Sequence, residues 1–428
     1  MKNLKLSYLL MMIIIVASCT KDPDSLADRT IKIAAIPDIH YTHPLLLPDN
    51  IEDSPSLVQY LGLDRKLLEI SDPIFRKVLS ELISEKPDIL LIPGDLTKDG
   101  ELIGHEVVKD LLEDLENKGI KVFVVPGNND ILNSDAFSFS TEPPVPVDNI
   151  TPEQFAEIYG NFGYYEALYR DENTLSYICE PYSNLWILGI DNIKYTTTEN
   201  GIKISGEISP ATLAWIEDKM IEARQKNINV LAMMHYGIIE HYAGQKKVEP
   251  LITDSQNSVI ALINAGIRFM FTGHYHANDI VEFTYEGKTL YDIQTGSLVT
   301  PPSTYRIMEL DENFLNIESK RVTDINAQLP GGVSFLTYSD ANITSRLNSF
   351  FTYYLHKMFG LPEESAASLA PYAINAYKAY FAGDEKISTE ETEKLDALPE
   401  SLGPLVAILK SLWTDLPPKD NRLYIKLE

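Results

Sequence analysis

Over its first third the chain alternates short apolar runs with amphipathic helical stretches, and this alternation limits the possible folds more than any other feature. Ile31-Lys-Ile-Ala-Ala-Ile36 reads as a strand. Pro73 to Glu85 reads as a helix with Ile74, Phe75, Val78, Leu79, Leu82 and Ile83 on one face and Asp72 as N-cap. Asp88-Ile-Leu-Leu-Ile92 is a second strand, and a second helix carries Val107, Val108, Leu111, Leu112 and Leu115 and stops at Gly119. The third strand is Ile120-Lys-Val-Phe-Val-Val125. This order predicts a mostly parallel sheet covered on both faces, with its chemistry in the loops at the carboxyl ends of the strands.

Five predicted strands end in residues that can ligate a metal. Asp38-Ile39-His40 follows the first, Gly94-Asp95 the second and Gly127-Asn128-Asn129-Asp130 the third. His235 closes a strand at 228–234, and Gly273-His274-Tyr275-His276 closes one at 267–272. Singly, a strand-end Asp or His is ordinarily a cap or a satisfied polar group. Here four of the chain's 8 histidines hold such positions, beside two Asp and one Asn, which points to one shared site. Carboxylate oxygen with neutral imidazole suits divalent Zn, Mn or Fe, whereas an all-oxygen cage would suit Ca or Mg and a thiolate set structural zinc. A pair of such ions ~3.5–4 Å apart clamps an oxyanion and brings the pKa of a shared water towards ~7. The Asp-x-His and His-x-His alternation would let two ligands leave one extended segment on the same side, and Gly94, Gly127 and Gly273 would let the backbone approach the ions.

In this order, Asp-x-His, Gly-Asp, Gly-Asn-x-Asp, a strand-end His and Gly-His-x-His resemble the calcineurin-like metallophosphoesterases, over about residues 31–310. The resemblance implies an α/β/β/α sandwich of two sheets. It also implies two divalent ions, the first on Asp38, His40, Asp95 and His276 and the second on Asp95 as bridge, Asn128, His235 and His274. In that family's reaction a hydroxide between the ions attacks phosphorus in line with the leaving oxygen, so the implied partner is a phosphate-ester substrate. One position departs from the pattern. Family members acting on monoesters commonly carry His after the Gly-Asn pair, and here it is Asn129, whose amide transfers no proton at neutral pH. Three readings follow. Asn129 only hydrogen-bonds a phosphate oxygen while a diester or pyrophosphate leaves unaided; or His43, Tyr236 or His241 supplies the acid; or the chain binds a phosphorylated ligand without efficient turnover. The first is favoured, giving a phosphodiesterase with Asp95 and Asn129 as catalytic residues. His105, on the second helix, is expected at the helix surface; the alternative is that it packs over the site behind the ligands.

Towards the N-terminus, Lys2 and Lys5 precede the apolar run Leu9 to Val16, and Ala17-Ser18 then precede Cys19. This reads as an export signal. The tetrad Val16-Ala17-Ser18-Cys19 resembles the lipobox of bacterial lipoproteins, which implies cleavage, acylation of Cys19 and anchoring to a membrane at its periplasmic or cell-surface face; the alternative is a plain secretory peptide. The expected organisation is a signal peptide at 1–18, a tether at 19–30, a catalytic domain at 31–330 and a helical accessory segment at 340–428 closed by a strand. With 36 basic and 62 acidic side chains the formal charge is −26, which disfavours non-specific nucleic-acid binding. Cys179 is then the one other cysteine, expected as a buried inert thiol on a strand. The aromatic and Pro-rich stretch from Ile131 to Arg170 reads as an insertion lining a cleft or packing on the surface, and the acidic run from Asp384 to Glu400 as a solvated face.

Overall fold

The computed structural model describes residues 29–195, 206–249 and 251–427. The expected signal peptide, Cys19 and most of the tether lie outside the described residues.

In chain order the elements are β1 (Ile31–Ala35), α1 (Pro55–Gly62), α2 (Ser71–Glu85), β2 (Ile89–Pro93), α3 (Leu102–Glu116), β3 (Lys121–Val125), β4 (Phe137–Ser138), β5 (Val145–Pro146) and α4 (Pro152–Ile158). There follow β6 (Tyr169–Arg170), β7 (Tyr177–Tyr182), β8 (Leu185–Gly189), α5 (Pro210–Gln225), β9 (Asn229–Met233), α6 (Ser255–Ala265), β10 (Phe269–Thr272), β11 (Ile280–Tyr285) and β12 (Lys288–Gln294). The chain closes with β13 (Thr304–Leu310), β14 (Phe314–Arg321), α7 (Phe335–Phe359), α8 (Glu363–Ala382), α9 (Thr389–Asp396), α10 (Gly403–Leu412) and β15 (Arg422–Lys426).

Two mixed sheets face each other. One has the order β15-β14-β13-β1-β2-β3 and the other β11-β12-β10-β9-β8-β7-β6. The strands that lead to the ligand residues are parallel to their neighbours, β1 with β2, β2 with β3 and β9 with β10. Side chains of both sheets, among them Ile33, Leu91, Val124, Ile187, Leu231 and Phe271, share one core with Ile74 and Val78 of α2 and Val108 and Leu112 of α3. A second core lies under α5 and α6, where Ile216, Met220, Val259 and Leu262 meet Trp186 and Met270. The α/β/β/α sandwich is therefore present, and both sheets bring strand ends to the same edge.

The helical segment has its own core of α7, α8 and α10 side chains, joined by Tyr242 and Ala277 from the sandwich. It sits between two strands of one sheet in sequence, because β15 returns to pair with β14. Three helices follow α7, where sequence reading expects two. β13 and β14 are strands that the sequence reading does not predict. Helix α2 starts at Ser71 rather than after an Asp72 cap: the Asp72 carboxylate accepts from the Tyr41 hydroxyl and Arg76 Nε, both at 2.9 Å, so it is not available as a cap. The aromatic part of the insertion is core, with Phe155, Tyr159 and Phe162 fully buried, whereas its Pro-rich part, Glu142 to Val147, lies on the surface. The acidic run from Asp384 to Glu400 lies mostly on a solvated face, as expected, with Glu385 the exception, buried against Asp279 and Asp420. Cys179 is buried on β7 with its thiol bonded to the Gly163 carbonyl, and burial pushes that thiol up.

Candidate metal centre

All seven expected ligand residues lie on loops that leave the carboxyl ends of β1, β2, β3, β9 and β10. These loops are not extended. Asp38, His40, Asp95, His274 and His276 have φ of 51°, 44°, 52°, 76° and 63°. The expected extended Asp-x-His and His-x-His segments thus give way to left-handed backbone at alternate residues, which turns both side chains of each pair inward. Left-handed φ in a non-glycine residue costs of order 1–3 kcal/mol, and it occurs at five of the seven expected ligand positions, the kind of local strain that clusters at active sites.

The glycines make room for ligand side chains rather than for ions. A Cβ on Gly127 would lie 2.1 Å from Asp95 Oδ1, and one on Gly273 would lie 2.4 Å from Asp38 Oδ2.

Two groups of donors meet at Asp95. In the first, His40 Nε2 faces His276 Nε2 at 3.1 Å, and Asp38 Oδ1 is 3.8 Å and 3.5 Å from these two nitrogens. In the second, Asn128 Oδ1 is 3.0 Å from His235 Nε2 and 2.9 Å from His274 Nδ1. Asp95 Oδ2 stands between the groups, 3.6 Å from His40 Nε2 and 3.4 Å from His235 Nε2. Donors bound to a common cation at ~2.0–2.2 Å lie at such mutual separations. Carboxylate, amide and imidazole donors converging with their lone pairs, including two ring nitrogens aimed at one another, are a set that fits a pair of divalent ions.

Protonation agrees with that fit. Burial, helped by Lys66 beside His40, Arg65 beside His276 and His235 beside His274, holds these three imidazoles well below their ordinary value, so they are neutral donors. Burial pushes Asp38 up to about 7. Burial opposes the shifts of His235 and Asp95 but is outweighed by their mutual attraction, which lifts His235 to about 9 and holds Asp95 below the usual carboxylate range. A cation between them would take the place of the His235 proton.

Further hydrogen bonds fix these side chains. His235 Nδ1 is 2.9 Å from the Pro93 carbonyl and donates to it, which leaves Nε2 as the lone-pair nitrogen. His276 Nδ1 is 2.7 Å from Thr300 Oγ1. Asp38 accepts from the His274 backbone N–H. Asp130 ties the β2 and β3 loops together by accepting from Thr97 N at 3.0 Å and Gly127 N at 2.8 Å. Sequence reading assigns no role to Asp130 or Thr300. The last residue of the Gly-Asn-x-Asp motif was the available signal for Asp130; Thr300 carries none.

Asn129 belongs to the same cavity wall, but its side chain is engaged with a ligand. Its Nδ2 donates to Asp95 Oδ2 at 2.7 Å and its backbone N–H to Asp95 Oδ1 at 2.8 Å. The alternative acids lie elsewhere. His43 caps a short turn, its Nδ1 accepting from Leu45 N. Tyr236 is buried against the His274 ring, and burial raises its hydroxyl. His241 is buried between Asp279 and Asp292. None of the three lines the cavity that holds the ligand cluster. His105 is not at the helix surface as expected. It is fully buried, with Nδ1 on the Tyr159 hydroxyl and Nε2 on the Asp130 carbonyl, so it supports the Asp130 loop.

The calcineurin-like phosphoesterase family matches residues 31–278, more than half of the chain, and the chain belongs to that family. It is thus a member of a family of metal-dependent phosphoesterases that use paired divalent ions. Among solved structures it is similar to a dimetal phosphatase from Danio rerio, with 14% identity over 68% of this chain and 96% of that one, at a TM-score of 0.48. It is also similar to a putative 5'-nucleotidase from Staphylococcus aureus, with 13% identity over 75% of this chain and 59% of that one, at a TM-score of 0.38. No curated protein matches the chain. Among the described residues no helix is long and apolar enough to cross a membrane.

Proposed function

We propose that the chain hydrolyses a phosphodiester or related phosphate ester with Asp38, His40, Asp95 and His276 on one divalent ion and Asp95, Asn128, His235 and His274 on another. The observation that carries this reading is the position of Asp95 Oδ2, within 3.4–3.6 Å of a ligand nitrogen in each group, so that one carboxylate serves both. The ions supply Lewis acidity towards phosphoryl oxygens and lower the pKa of water. The protein supplies the rest. Three neutral imidazoles offer lone pairs, Pro93 and Thr300 hold two rings in orientation, and Asn129 holds Asp95 through two hydrogen bonds. Arg65 and Lys66 line the same cavity and favour an anionic substrate against the chain's net charge of −26.

Asn129 supports diester preference. A primary amide has no proton to give at neutral pH, so the favoured substrate is one whose leaving oxygen departs with little acid assistance. In the same reading the protein is exported and lipid-anchored through Cys19. The test of catalysis is p-nitrophenol release by the chelator-treated chain after adding Mn²⁺. Faster release from bis(p-nitrophenyl) phosphate than from p-nitrophenyl phosphate is expected. Faster monoester cleavage overturns the diester preference, and no release from either substrate with Mn²⁺, Zn²⁺ or Fe²⁺ overturns catalysis in favour of ligand binding alone.

A further inference from the structure

The cavity that holds the ligand cluster is larger than a phosphate group needs, and much of its wall comes from the helical segment. It encloses about 420 Å³ and is lined by His40, Asp95 and His274 as well as by Phe350 and Tyr354 of α7 and Ile408 of α10. That volume falls within the ~300–1,000 Å³ of cavities that enclose organic ligands, and such sites characteristically join an apolar wall to a few placed polar groups. Phe350 is 38% exposed although it stacks on Tyr354, with ring centroids 5.8 Å apart. A large aromatic left open beside a polar cluster is apolar surface that gains by being covered.

The charges in the cavity select the other half of the ligand. Lys66 is paired with Asp64 at 3.3 Å and Arg346 with Glu69 at 2.7 Å. Arg65 has no carboxylate within ion-pair distance among the described residues; its guanidinium reaches the Tyr275 carbonyl at 3.5 Å and lies over the Phe381 ring. A cation outside any ion pair, whose charge the Glu249 carboxylate of the same wall also feels, a cluster fitted for phosphoryl oxygens and an apolar wall therefore share a single space. A small polar diester would engage the first two and leave the third wet.

We propose that the substrate is an amphiphile, a phosphate ester carrying a long alkyl-like chain that lodges against α7 and α10 while its phosphate meets the metal cluster and Arg65. The hydrolytic step rests on the function proposed above; the binding of the chain does not. In this arrangement the helical segment is the specificity-determining half of the site, and the sandwich the catalytic half.

Two series separate the two claims. In the first, the full-length chain loaded with Mn²⁺ is titrated calorimetrically with butyl, hexyl and octyl phosphate below their micelle-forming concentrations. Burial of one methylene is worth roughly a fourfold gain in affinity, so octyl phosphate is expected to bind at least about tenfold more tightly than butyl phosphate even if the chain is only partly covered. Phe350→Ala and Ile408→Gln are each expected to reduce that ratio by threefold or more. Phe350 is partly exposed, so its truncation keeps the test available if the Ile408 variant does not fold. Equal affinity for butyl and octyl phosphate, or an unchanged ratio in both folded variants, overturns the proposal. In the second series, methyl, butyl and octyl p-nitrophenyl phosphodiesters are hydrolysed with Mn²⁺ present, and kcat/KM is expected to rise with chain length. Turnover independent of length refutes the amphiphile and leaves the phosphoesterase standing; length-dependent binding with no turnover of any ester does the reverse. Offering the octyl ester in phosphatidylcholine vesicles and free in solution then assigns its source, faster turnover in vesicles indicating a membrane lipid and faster turnover in solution a soluble amphiphile.

Discussion

Gly127→Ala places one methyl group where the structure has no space for it. The new carbon would lie 2.1 Å from Asp95 Oδ1 and 2.2 Å from the Asp95 backbone nitrogen. Non-bonded heavy atoms settle at ~3.5–4.0 Å, so the two loops must part by about 1 Å or more. A rotamer change cannot relieve the contact, because one of the atoms is backbone, and β2 and β3 are paired through Pro93 and Val125 immediately before these loops. The displacement therefore falls on Asp95, expected to serve both ions, and on Asn128, expected to serve the second. Overpacking of this kind costs ~1–3 kcal/mol, which in a chain of this size lowers the Tm by only roughly 1–5 °C and does not unfold it. A misplacement of about 1 Å in a catalytic constellation costs ~100-fold in rate. Diester hydrolysis with Mn²⁺, differential scanning fluorimetry and elemental analysis should therefore show a large loss of kcat and of bound metal with the fold retained. Gly62→Ala, where a Cβ meets nothing within 4 Å, is the control and should change neither. Wild-type turnover and metal content in Gly127→Ala would show that the approach of the two loops at Gly127 does not position Asp95.

Asp95→Asn keeps the shape of the bridge and removes its charge. Elemental analysis after gel filtration should show both ions lost, and retention of two per chain would contradict a shared bridge. The buried acids at the junction with the helical segment make a separate prediction. Burial, then Asp279, pushes Glu385 up to about 11 and Asp420 up to about 8. The folded chain thus holds protons that the unfolded chain releases near pH 4, so the stability they contribute is full below that pH and is lost as pH rises towards the folded values. With chelator present, the Tm of Glu385→Gln should gain on wild type between about pH 5 and pH 9; a gap independent of pH would count against this. Cys19→Ser should abolish incorporation of labelled palmitate in a bacterial host, and undiminished labelling would remove the proposed anchor.

The strand ends were legible because chemistry and periodicity coincide there. An apolar run that stops at Asp38 or His274 announces both the strand and the ligand. What the sequence concealed was non-local. β13 and β14 pair with β1 and β15, far away in the chain, and β13 carries a buried arginine that reads as a surface residue until its bonds to the Gln294 and Asp420 carbonyls are known. The alternating runs on either side of Asp311-Glu312-Asn313 were a hairpin signal that could have been used. The left-handed turns at Asp38 and His40 have no compositional sign, since neither residue is a glycine. His105 looks like a helix-surface residue by position and is buried only because the aromatic insertion folds over it. For the same reason the wall that α7 and α10 give to the cavity could not be read from an amphipathic stripe, which specifies that a face is covered but not by what.

Anomalous diffraction from crystals grown with Mn²⁺ tests the central claim most directly. Two peaks ~3.5–4 Å apart are expected, one against Asp38, His40 and His276 and the other against Asn128, His235 and His274, with Asp95 touching both. A single peak, or two that do not share Asp95, would contradict it.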